Sequence, residues 1–339
     1  MTTREASPTV NKNPIIRLLN INTSGQTSGR SLPLWRQILL QGVCLFILAS
    51  VLFPIMYILT LSFSSKTTRP SSLELLPKEI SLGAYKQVLD HPTGNPVTFN
   101  ELLRNSITLS VGVGAVALLV AVTAAYSFSR FNFKMREVLM ILVFIPLLMP
   151  AVGLVTPLYL LLNNFKIVDC GKDVTAFLPL FACDQGIRGK LIFNLRDSLL
   201  GVGIAMTASA LPFAIWNLKG YLDTIPRELE EAAAIDGADT NQTFWKIIMP
   251  LAAPQLAVTF FLGFIGNWQE FITSWLFLSQ PKDYTLAMTL YNMTGQYASS
   301  IPWNRFAAMA VIVALPVAFV YIALQKQIVG GLTTGGVKG

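Results

Sequence analysis

Residues 231–250 read Glu-Ala-Ala-Ala-Ile-Asp-Gly-Ala-Asp-Thr-Asn-Gln-Thr-Phe-Trp-Lys-Ile-Ile-Met-Pro, and this polar stretch lies between two long apolar segments. The residues ahead of Gly237 are strong helix formers, with three consecutive alanines among them. Gly237 can end that helix, because the left-handed position after a helix favours glycine. Asp239 or Thr240 can cap a second helix, and Pro250 is expected to begin the turn into the next apolar segment. The stretch therefore predicts a helix-turn-helix inside a membrane protein.

The composition of the chain is that of a membrane protein. Of the 339 residues, 53% are apolar and only 13% are charged, against about 25% charged in a soluble domain. The apolar residues fall in blocks of about 20 or more, which is the length that crosses a bilayer. We therefore predict an all-α integral membrane protein with six transmembrane helices. The predicted spans cover residues 38–63, 106–128, 138–162, 199–218, 253–279 and 306–326.

Several function classes can be set aside from the residue types alone. The net charge is +7, but the cations are scattered over the loops between spans, as membrane-flanking charges are, and do not indicate a nucleic-acid partner. The chain has one histidine, His91, so no cluster of histidines and cysteines has the spacing of a metal site. It has no GxxxxGK[ST] phosphate loop either. We therefore expect no cofactor, metal or catalytic site in this chain, and any ATP must be hydrolysed by a partner.

The charge pattern predicts the orientation in the membrane. Lysines and arginines are nearly balanced over the two sides, but the short loop 129–137 carries three cations in nine residues. Short loops are where the positive-inside rule operates, so this loop is expected in the cytoplasm, together with both termini and the loop 220–250. Residues 1–37 are expected to form a disordered cytoplasmic tail, 38–328 the six-span domain, and 329–339 a cytoplasmic C-terminal tail.

The polar stretch between the fourth and fifth spans resembles the cytoplasmic coupling loop of ABC importer permeases, which is also called the EAA loop. The family pattern has Glu-Ala-Ala, then glycine after three residues, then Ile-x-Leu-Pro after nine more. Six positions match and one differs, because methionine replaces the leucine; they are Glu231, Ala232, Ala233, Gly237, Ile247, Met249 and Pro250. The resemblance implies a type I importer permease fold whose loop docks on an ATPase subunit, with Glu231 and Gly237 carrying most of the contact and the shape.

Further stretches resemble the carbohydrate importers of this family. They include Leu82–Tyr85, Ala124–Arg130, Trp268–Phe271 and the glycine-rich end Val329–Gly339. The last of these resembles the maltose-type, MalG-like branch. That resemblance implies a bacterial inner-membrane permease for maltose or maltodextrin, trehalose or a similar glucoside. It also implies a MalF-like second permease, a MalK-like ATPase dimer that binds ATP and magnesium, and an extracytoplasmic sugar-binding protein.

Glu270 is the acidic residue placed well inside a predicted span, where an ionisable group is expensive and by default functional. Its neighbours Asn267 and Trp268 offer hydrogen bonds and an aromatic face, a combination that suits a sugar. These three residues are therefore candidates for the substrate path. The alternative is that Glu270 pairs with a neighbouring helix or with the second permease and fixes helix packing. The sequence leaves both interpretations open.

Two segments outside the spans carry their own alternatives. Cys170 and Cys183 lie in the outer loop 163–198, where a disulfide can form, although two free thiols fit the sequence nearly as well. This loop is longer than the resemblance leads one to expect, and it is a candidate contact for the binding protein. The tail 329–339 either frays or reaches the ATPase pair.

Two other functions remain compatible with six spans. The first is an ABC permease for a non-sugar solute such as a compatible solute or an amino acid, for which the coupling loop alone would fit equally well. The second is a carrier or channel that works without ATP. Such a protein would have no use for a docking loop with this spacing.

Overall fold

The computed structural model describes residues 34–68, 79–163, 166–169, 175–178, 190–294 and 301–335. The chain divides at Pro54 into two units, Met1–Pro54 and Ile55–Gly339, and the packing below concerns the second unit. Twelve α-helices and three strands lie in the described ranges. They are α1 (Leu34–Ser62), α2 (Gly83–Asp90), α3 (Phe99–Arg130), α4 (Arg136–Leu148), α5 (Ala151–Asn163), β1 (Lys166–Asp169), β2 (Thr175–Leu178), β3 (Lys190–Asn194), α6 (Leu199–Leu222), α7 (Glu228–Ile235), α8 (Thr240–Thr243), α9 (Met249–Gln269), α10 (Ile272–Phe277), α11 (Leu286–Asn292) and α12 (Trp303–Gly335).

Five helical segments in the described part of the chain are long and apolar enough to cross a membrane. They are Leu34–Ser62, Phe99–Arg130, Leu199–Leu222, Thr240–Gln269 and Trp303–Ile328. The pair α4 and α5 gives a sixth if the two helices are counted as one span, but the pair is bent by 103°. The span predicted over 138–162 is therefore divided into a bent pair of helices. The reason is Pro150, which disfavours helical backbone at the residue before it, and Met149 is indeed extended (φ −87°, ψ 144°).

The fifth span also differs from the prediction at both ends. No turn occurs at Pro250, because α8, a π-helical turn over Phe244–Ile248 and α9 form one continuous helix. The wide π turn gives room to the proline ring, which in a regular helix would meet the carbonyl of the preceding turn. At the other end the helix stops at Gln269 rather than at residue 279. Glu270 is extended (ψ 125°), and the short α10 begins beyond it.

A small sheet accompanies the predicted all-α membrane fold. Strands β1, β2 and β3 lie in the loop between α5 and α6 and pair antiparallel in the order β2-β1-β3. Cys170 and Cys183 fall outside the described residues, and so does most of the predicted N-terminal tail 1–37. The last helix, α12, continues to Gly335 and so includes much of the segment predicted as the tail 329–339.

The helix α3 is the centre of the packing, since it lies against both α6 and α9. Its start is fixed by a capping box, in which the Glu101 carboxylate accepts a hydrogen bond from the Thr98 backbone and the Thr98 hydroxyl accepts one from the Glu101 backbone. Near its end, a buried apolar cluster joins α3, α6 and the segment Phe244–Ile248. Near its beginning, a second cluster joins it to α2, α9, α11 and α12. These two clusters hold the two ends of the bundle on one shared helix.

Candidate functional sites at the hairpin and the cavity

The hairpin consists of α7, the turn 236–239 and the start of the long helix up to Ile248. Its turn is built by Gly237, which has φ +83°, a conformation that side chains with a Cβ rarely adopt. The Ala238 N–H donates to the Ala233 carbonyl at 2.9 Å and the Gly237 N–H to the Ala234 carbonyl at 3.1 Å, which is the Schellman pattern. The Asp239 carboxylate then accepts from the Gln242 N–H at 2.6 Å and caps the next helix.

Two adjacent glutamates of α7 lie on different sides of the helix. Glu230 points toward the bundle and forms an ion pair with Arg130 at the end of α3, with 2.5 Å between Nε and Oε1. The two side chains are 7% and 18% exposed. The Tyr126 hydroxyl donates to the second oxygen of Glu230 at 3.1 Å. Glu231 is exposed, and within the described ranges its side chain makes no hydrogen bond or ion pair.

The base of the hairpin is fastened to α3 by further hydrogen bonds. Arg130 donates to the Ile225 carbonyl at 3.0 Å, and Arg227 donates to the Ser129 carbonyl at 3.0 Å. Both contacts join a charged side chain to a backbone oxygen near the end of α3 or the start of α7. The hairpin is therefore held by side-chain hydrogen bonds at the end of α3 as well as by its two chain connections.

Asp223 adds a second polar contact just beyond the end of α6. It accepts from the Ser129 hydroxyl and from Lys219, both at 2.6 Å. Burial alone would raise the pKa of Asp223, but the hydrogen bonds from Lys219 and Ser129, together with the charges of Lys219 and Arg136, outweigh it and lower that pKa below its ordinary value. Asp223 therefore joins α3 and α6 as a carboxylate.

Aromatic packing completes the inner face of the hairpin. Phe244 is 7% exposed and lies against the Tyr126 ring, with centroids 4.9 Å apart in an edge-to-face arrangement. Ile248 is completely buried beside it. The outer face is different in character. Ile235 is 87% exposed at the tip, and Leu229 is also exposed. The hairpin thus has one anchored face and one free face with apolar and acidic side chains.

A cavity of about 260 Å³ lies among α3, α6 and α9. Much of its wall is made of small residues, including Gly114, Gly263 and Gly266, and its polar groups come mainly from the end of α9. Asn267, Glu270 and Thr273 line it there. This cavity brings together two of the three residues predicted for the substrate path.

Glu270 lies where the fifth span breaks. One of its carboxylate oxygens accepts a hydrogen bond from the Thr273 N–H at 2.7 Å and so satisfies a free donor of α10. Its other oxygen, Oε2, and the side-chain nitrogen Nδ2 of Asn267 are buried without a hydrogen-bond partner among the described residues. Trp268 lies elsewhere, because it is 3% exposed and donates to the Val313 carbonyl of α12 at 3.0 Å.

Comparison with known proteins identifies the family. A family model described as "Binding-protein-dependent transport system inner membrane component" matches residues 117–333. This is well over half of the chain, and it includes the hairpin and every residue named as lining the cavity except Gly114. The chain belongs to that family. It is an ABC importer permease of the carbohydrate, maltose-type group.

Two named relatives are similar to this permease over most of their length. It is 35% identical to the maltose/maltodextrin transport system permease protein MalG of Vibrio vulnificus (strain YJ016) over 300 residues, which are 86% of this chain and 92% of the relative. It is 30% identical to the galactooligosaccharides transport system permease protein GanQ of Bacillus subtilis (strain 168), with 87% and 93% covered.

Two solved structures share the fold of this permease. One is a chain of a bacterial ABC transporter involved in the import of the acidic polysaccharide alginate, with 23% identity, a TM-score of 0.62, and coverage of 94% of this chain and 99% of that one. The other is a chain of a bacterial alginate ABC transporter in complex with an alginate pentasaccharide-bound periplasmic protein, with 15% identity, a TM-score of 0.60, and coverage of 86% and 95%.

The seven residues predicted for coupling occupy different environments in this permease. The exposed ones are Glu231, Ala232, Gly237 and Pro250, whereas Ala233 is buried and Ile247 and Met249 are half-buried. Sequence reasoning missed the inner anchor of Arg130, Tyr126 and Glu230. The signal in the sequence was limited to Arg130 at the end of an apolar span and several carboxylates in the hairpin, and it did not indicate which of them would pair.

Proposed function

We propose that this permease forms half of the translocation pathway of an ATP-driven importer for a carbohydrate, and that its hairpin docks on the ATPase subunit. The observation that carries the proposal is the difference in environment between Glu230, which is paired with Arg130, and Glu231, which is exposed. One carboxylate holds the hairpin on the membrane helices, and the adjacent one faces outward. The relatives named above are permeases of maltose/maltodextrin and galactooligosaccharide systems, which supports a sugar as the solute.

The outer face of α7 has the chemistry of a docking surface. Ile235 exposes 87% of its surface at the tip, and a side chain of this size would bury well in a pocket of a partner. The exposed alanines Ala232 and Ala234 are small enough for a second backbone to come close. Glu231 offers an oxygen pair to an arginine or lysine of the partner, in a charge-assisted hydrogen bond. Gly237 shapes the turn that presents this face.

The inner anchor supports a mechanism for coupling. ATP and magnesium would be bound and hydrolysed by the ATPase pair, and this chain would contribute no catalytic residue. When the pair closes, it pulls on the hairpin. Because Arg130 and Arg227 tie the hairpin to α3, the displacement is passed to α3 and from there to α6 and α9. The bundle then changes between two arrangements, as the nucleotide-bound ATPase favours one of them.

The same proposal extends to the orientation of the chain in the membrane and to the other subunits of the importer. The hairpin and both termini would lie in the cytoplasm of a bacterium, and the loop with the small sheet would lie on the outer side of the inner membrane. A MalF-like permease would form the other half of the pathway. A MalK-like ATPase dimer would take up the hairpin, and an extracytoplasmic sugar-binding protein would deliver the solute. The C-terminal segment 329–339 would approach the ATPase pair.

The test is co-purification from membranes, combined with uptake driven by ATP. We compare the wild type with Glu231→Lys and with Glu137→Lys, which reverses the charge of an exposed glutamate in the first turn of α4, outside the hairpin. Glu231→Lys should lose the ATPase subunit and keep the second permease, while Glu137→Lys should keep both. Retention of the ATPase by Glu231→Lys would contradict docking. A wild-type chain that purifies alone and transports without ATP would overturn the importer itself.

A further inference from the structure

The loop that joins α3 to α4 exposes apolar side chains beside cations. It consists of residues 131–136, and we call it the basic-aromatic loop. Its three apolar side chains are uncovered to a large extent, since Phe131, Phe133 and Met135 are 46%, 39% and 64% exposed. A contiguous exposed apolar patch usually marks a surface that contacts a partner or a membrane. The loop is therefore expected to be covered when the permease is in its natural surroundings.

The basic-aromatic loop is too short to leave the membrane surface. Five residues, 131–135, separate Arg130, which ends α3, from Arg136, which begins α4. The helix α3 is long and apolar enough to cross a membrane, and the bent pair α4 and α5 gives another crossing if it is counted as one span. The loop thus returns the chain directly into the bilayer, and it lies at the level of the lipid headgroups.

The two rings of the loop are held in place before any partner arrives. Phe131 lies edge-on against Tyr126, with the ring centroids 5.9 Å apart, and Phe133 lies against Phe128 at 5.8 Å. Tyr126 is itself fixed by its hydrogen bond to Glu230. Binding to side chains that are already ordered costs less conformational entropy than binding to mobile ones. The exposed parts of the rings therefore form a prepared surface.

Met135 has a conformation that packing inside the chain does not explain. It is the one non-glycine residue with a positive φ, 67°, in the part of the chain that the structure describes. This left-handed conformation is strained for a residue with a Cβ, and such strain concentrates at functional surfaces. The side chain is mostly exposed, so burial within the permease does not offset the strain. A methionine in this position gains apolar contacts if it enters the lipid.

The charges of the loop indicate the kind of lipid. Lys134 is exposed, and among the described residues its ammonium group has no hydrogen bond or ion pair. Arg136 donates to the Asn132 side-chain oxygen at 3.2 Å and has further donors to offer. The carboxylate of Glu137 is the nearest acid in the sequence, which leaves two cations against one anion. An excess of positive charge beside exposed apolar groups complements the anionic lipids of the cytoplasmic leaflet.

We propose that the basic-aromatic loop binds anionic phospholipid headgroups of the cytoplasmic leaflet. Lys134 and Arg136 contact the phosphates, and the side chains of Phe131, Phe133 and Met135 enter the boundary between headgroups and acyl chains. This inference goes beyond the proposed function, because it concerns neither the solute nor the contact with the ATPase. It takes from that function only the side of the membrane on which the loop lies.

The test is native mass spectrometry of the purified importer, titrated with phosphatidylglycerol or with phosphatidylcholine of the same acyl chains. The wild type should bind phosphatidylglycerol more tightly. Lys134→Gln should weaken that binding about fivefold, since a cation near an anionic surface contributes about that factor. Adding Arg136→Gln, which keeps a donor for Asn132, should bring the loss to about 25-fold. Binding of phosphatidylcholine should change much less.

Three further variants separate the loop from general charge effects and from folding. Lys326→Gln removes an exposed lysine near the end of the segment Trp303–Ile328 and should leave the affinity unchanged. Glu137→Gln removes the adjacent carboxylate and should strengthen phosphatidylglycerol binding about fivefold. Met135→Gly relieves the left-handed strain, so the melting temperature should not fall, while the lost apolar contact weakens the binding of both lipids severalfold.

Three outcomes would overturn the proposal. Equal affinity of the wild type for the two lipids would show that the loop does not select for charge. An equal loss in Lys326→Gln and Lys134→Gln would show a general charge effect with no site in the loop. If Lys134→Gln loses the ATPase subunit and keeps its affinity for phosphatidylglycerol, the loop contacts that protein instead.

Discussion

The ion pair between Arg130 and Glu230 should decide how firmly the hairpin is held. Arg130→Met removes the cation, keeps much of the side-chain length, and leaves the Glu230 carboxylate without its charged partner. The two side chains are only 7% and 18% exposed, so solvent replaces little of what is lost. Breaking a buried ion pair costs about 3–5 kcal/mol. Glu230 keeps the hydroxyl of Tyr126 and some contact with water, so we expect the lower end, about 3 kcal/mol.

The expected effect is local, because the pair joins the hairpin to α3 and does not form part of the apolar clusters. Opening of the hairpin should become more frequent by on the order of 100-fold, which follows from about 1.4 kcal/mol for each factor of ten. Hydrogen exchange of the backbone amides, followed by mass spectrometry on peptides that cover residues 228–243, measures this opening directly. The permease is held in nanodiscs, and peptides from α9 serve as the internal reference.

A double-mutant cycle tests whether the pair itself is responsible. Arg130→Met and Glu230→Gln are measured singly and together. The combined variant should exchange more slowly than Arg130→Met alone, because no unpaired charge remains, with a coupling energy of roughly 0.5–3 kcal/mol. Glu231→Gln neutralises the adjacent exposed carboxylate and should leave exchange unchanged. Equal acceleration in Glu231→Gln and Glu230→Gln, or additive effects in the cycle, would refute this account of the anchor.

Two further predictions concern the turn and the acid side of the pH range. Gly237→Ala should cost about 1–2 kcal/mol through left-handed strain and accelerate exchange in the hairpin. Gly220→Ala, in the last turn of α6 with nothing within 4 Å of its Cβ position, should not accelerate it, and equal behaviour of the two variants would contradict the role of the turn. Asp223 has a lowered pKa when folded, so it stabilises the fold above its ordinary value of about 3.9, and this contribution is lost as the pH falls from there through the folded pKa. Thermal melts between pH 6 and pH 3 should therefore decline less in Asp223→Asn than in the wild type or in the exposed control Asp236→Asn, and parallel curves would refute it.

The elements that were predictable from sequence are those that short-range chemistry controls. The long apolar blocks had to become helices, because a continuous apolar segment of about 20 residues in a bilayer can pair its backbone groups within itself only as a helix. Gly237 had to end α7, since it is the residue that adopts φ +83° without strain. Asp239 caps the next helix, as one of the two candidates named from the sequence. The residues from Glu231 to Pro250 indicated the family through their resemblance to its coupling loop, which their propensities alone would not have done.

The errors have a common physical origin in the long helices. Pro250 was expected to begin a turn. The helix instead continues through it, because a π turn ahead of it makes room for the proline ring. The fifth span was expected to run on to residue 279, since its composition stays apolar, yet it stops where the carboxylate of Glu270 can serve the free N–H of Thr273. Composition shows where a helix can continue. It does not show where a side chain offers the backbone a better partner.

What the sequence determined by itself is therefore the membrane class, the approximate helices, the hairpin with its glycine turn and the family. What only the tertiary structure decided is the orientation of neighbouring residues. Glu230 and Glu231 are adjacent and chemically identical, but one meets Arg130 and Tyr126, the latter 104 residues earlier in the chain, and the other meets solvent. Asn267 faces the cavity while Trp268 faces α12. Such differences depend on which distant helix packs against each face, and no local pattern contains that information.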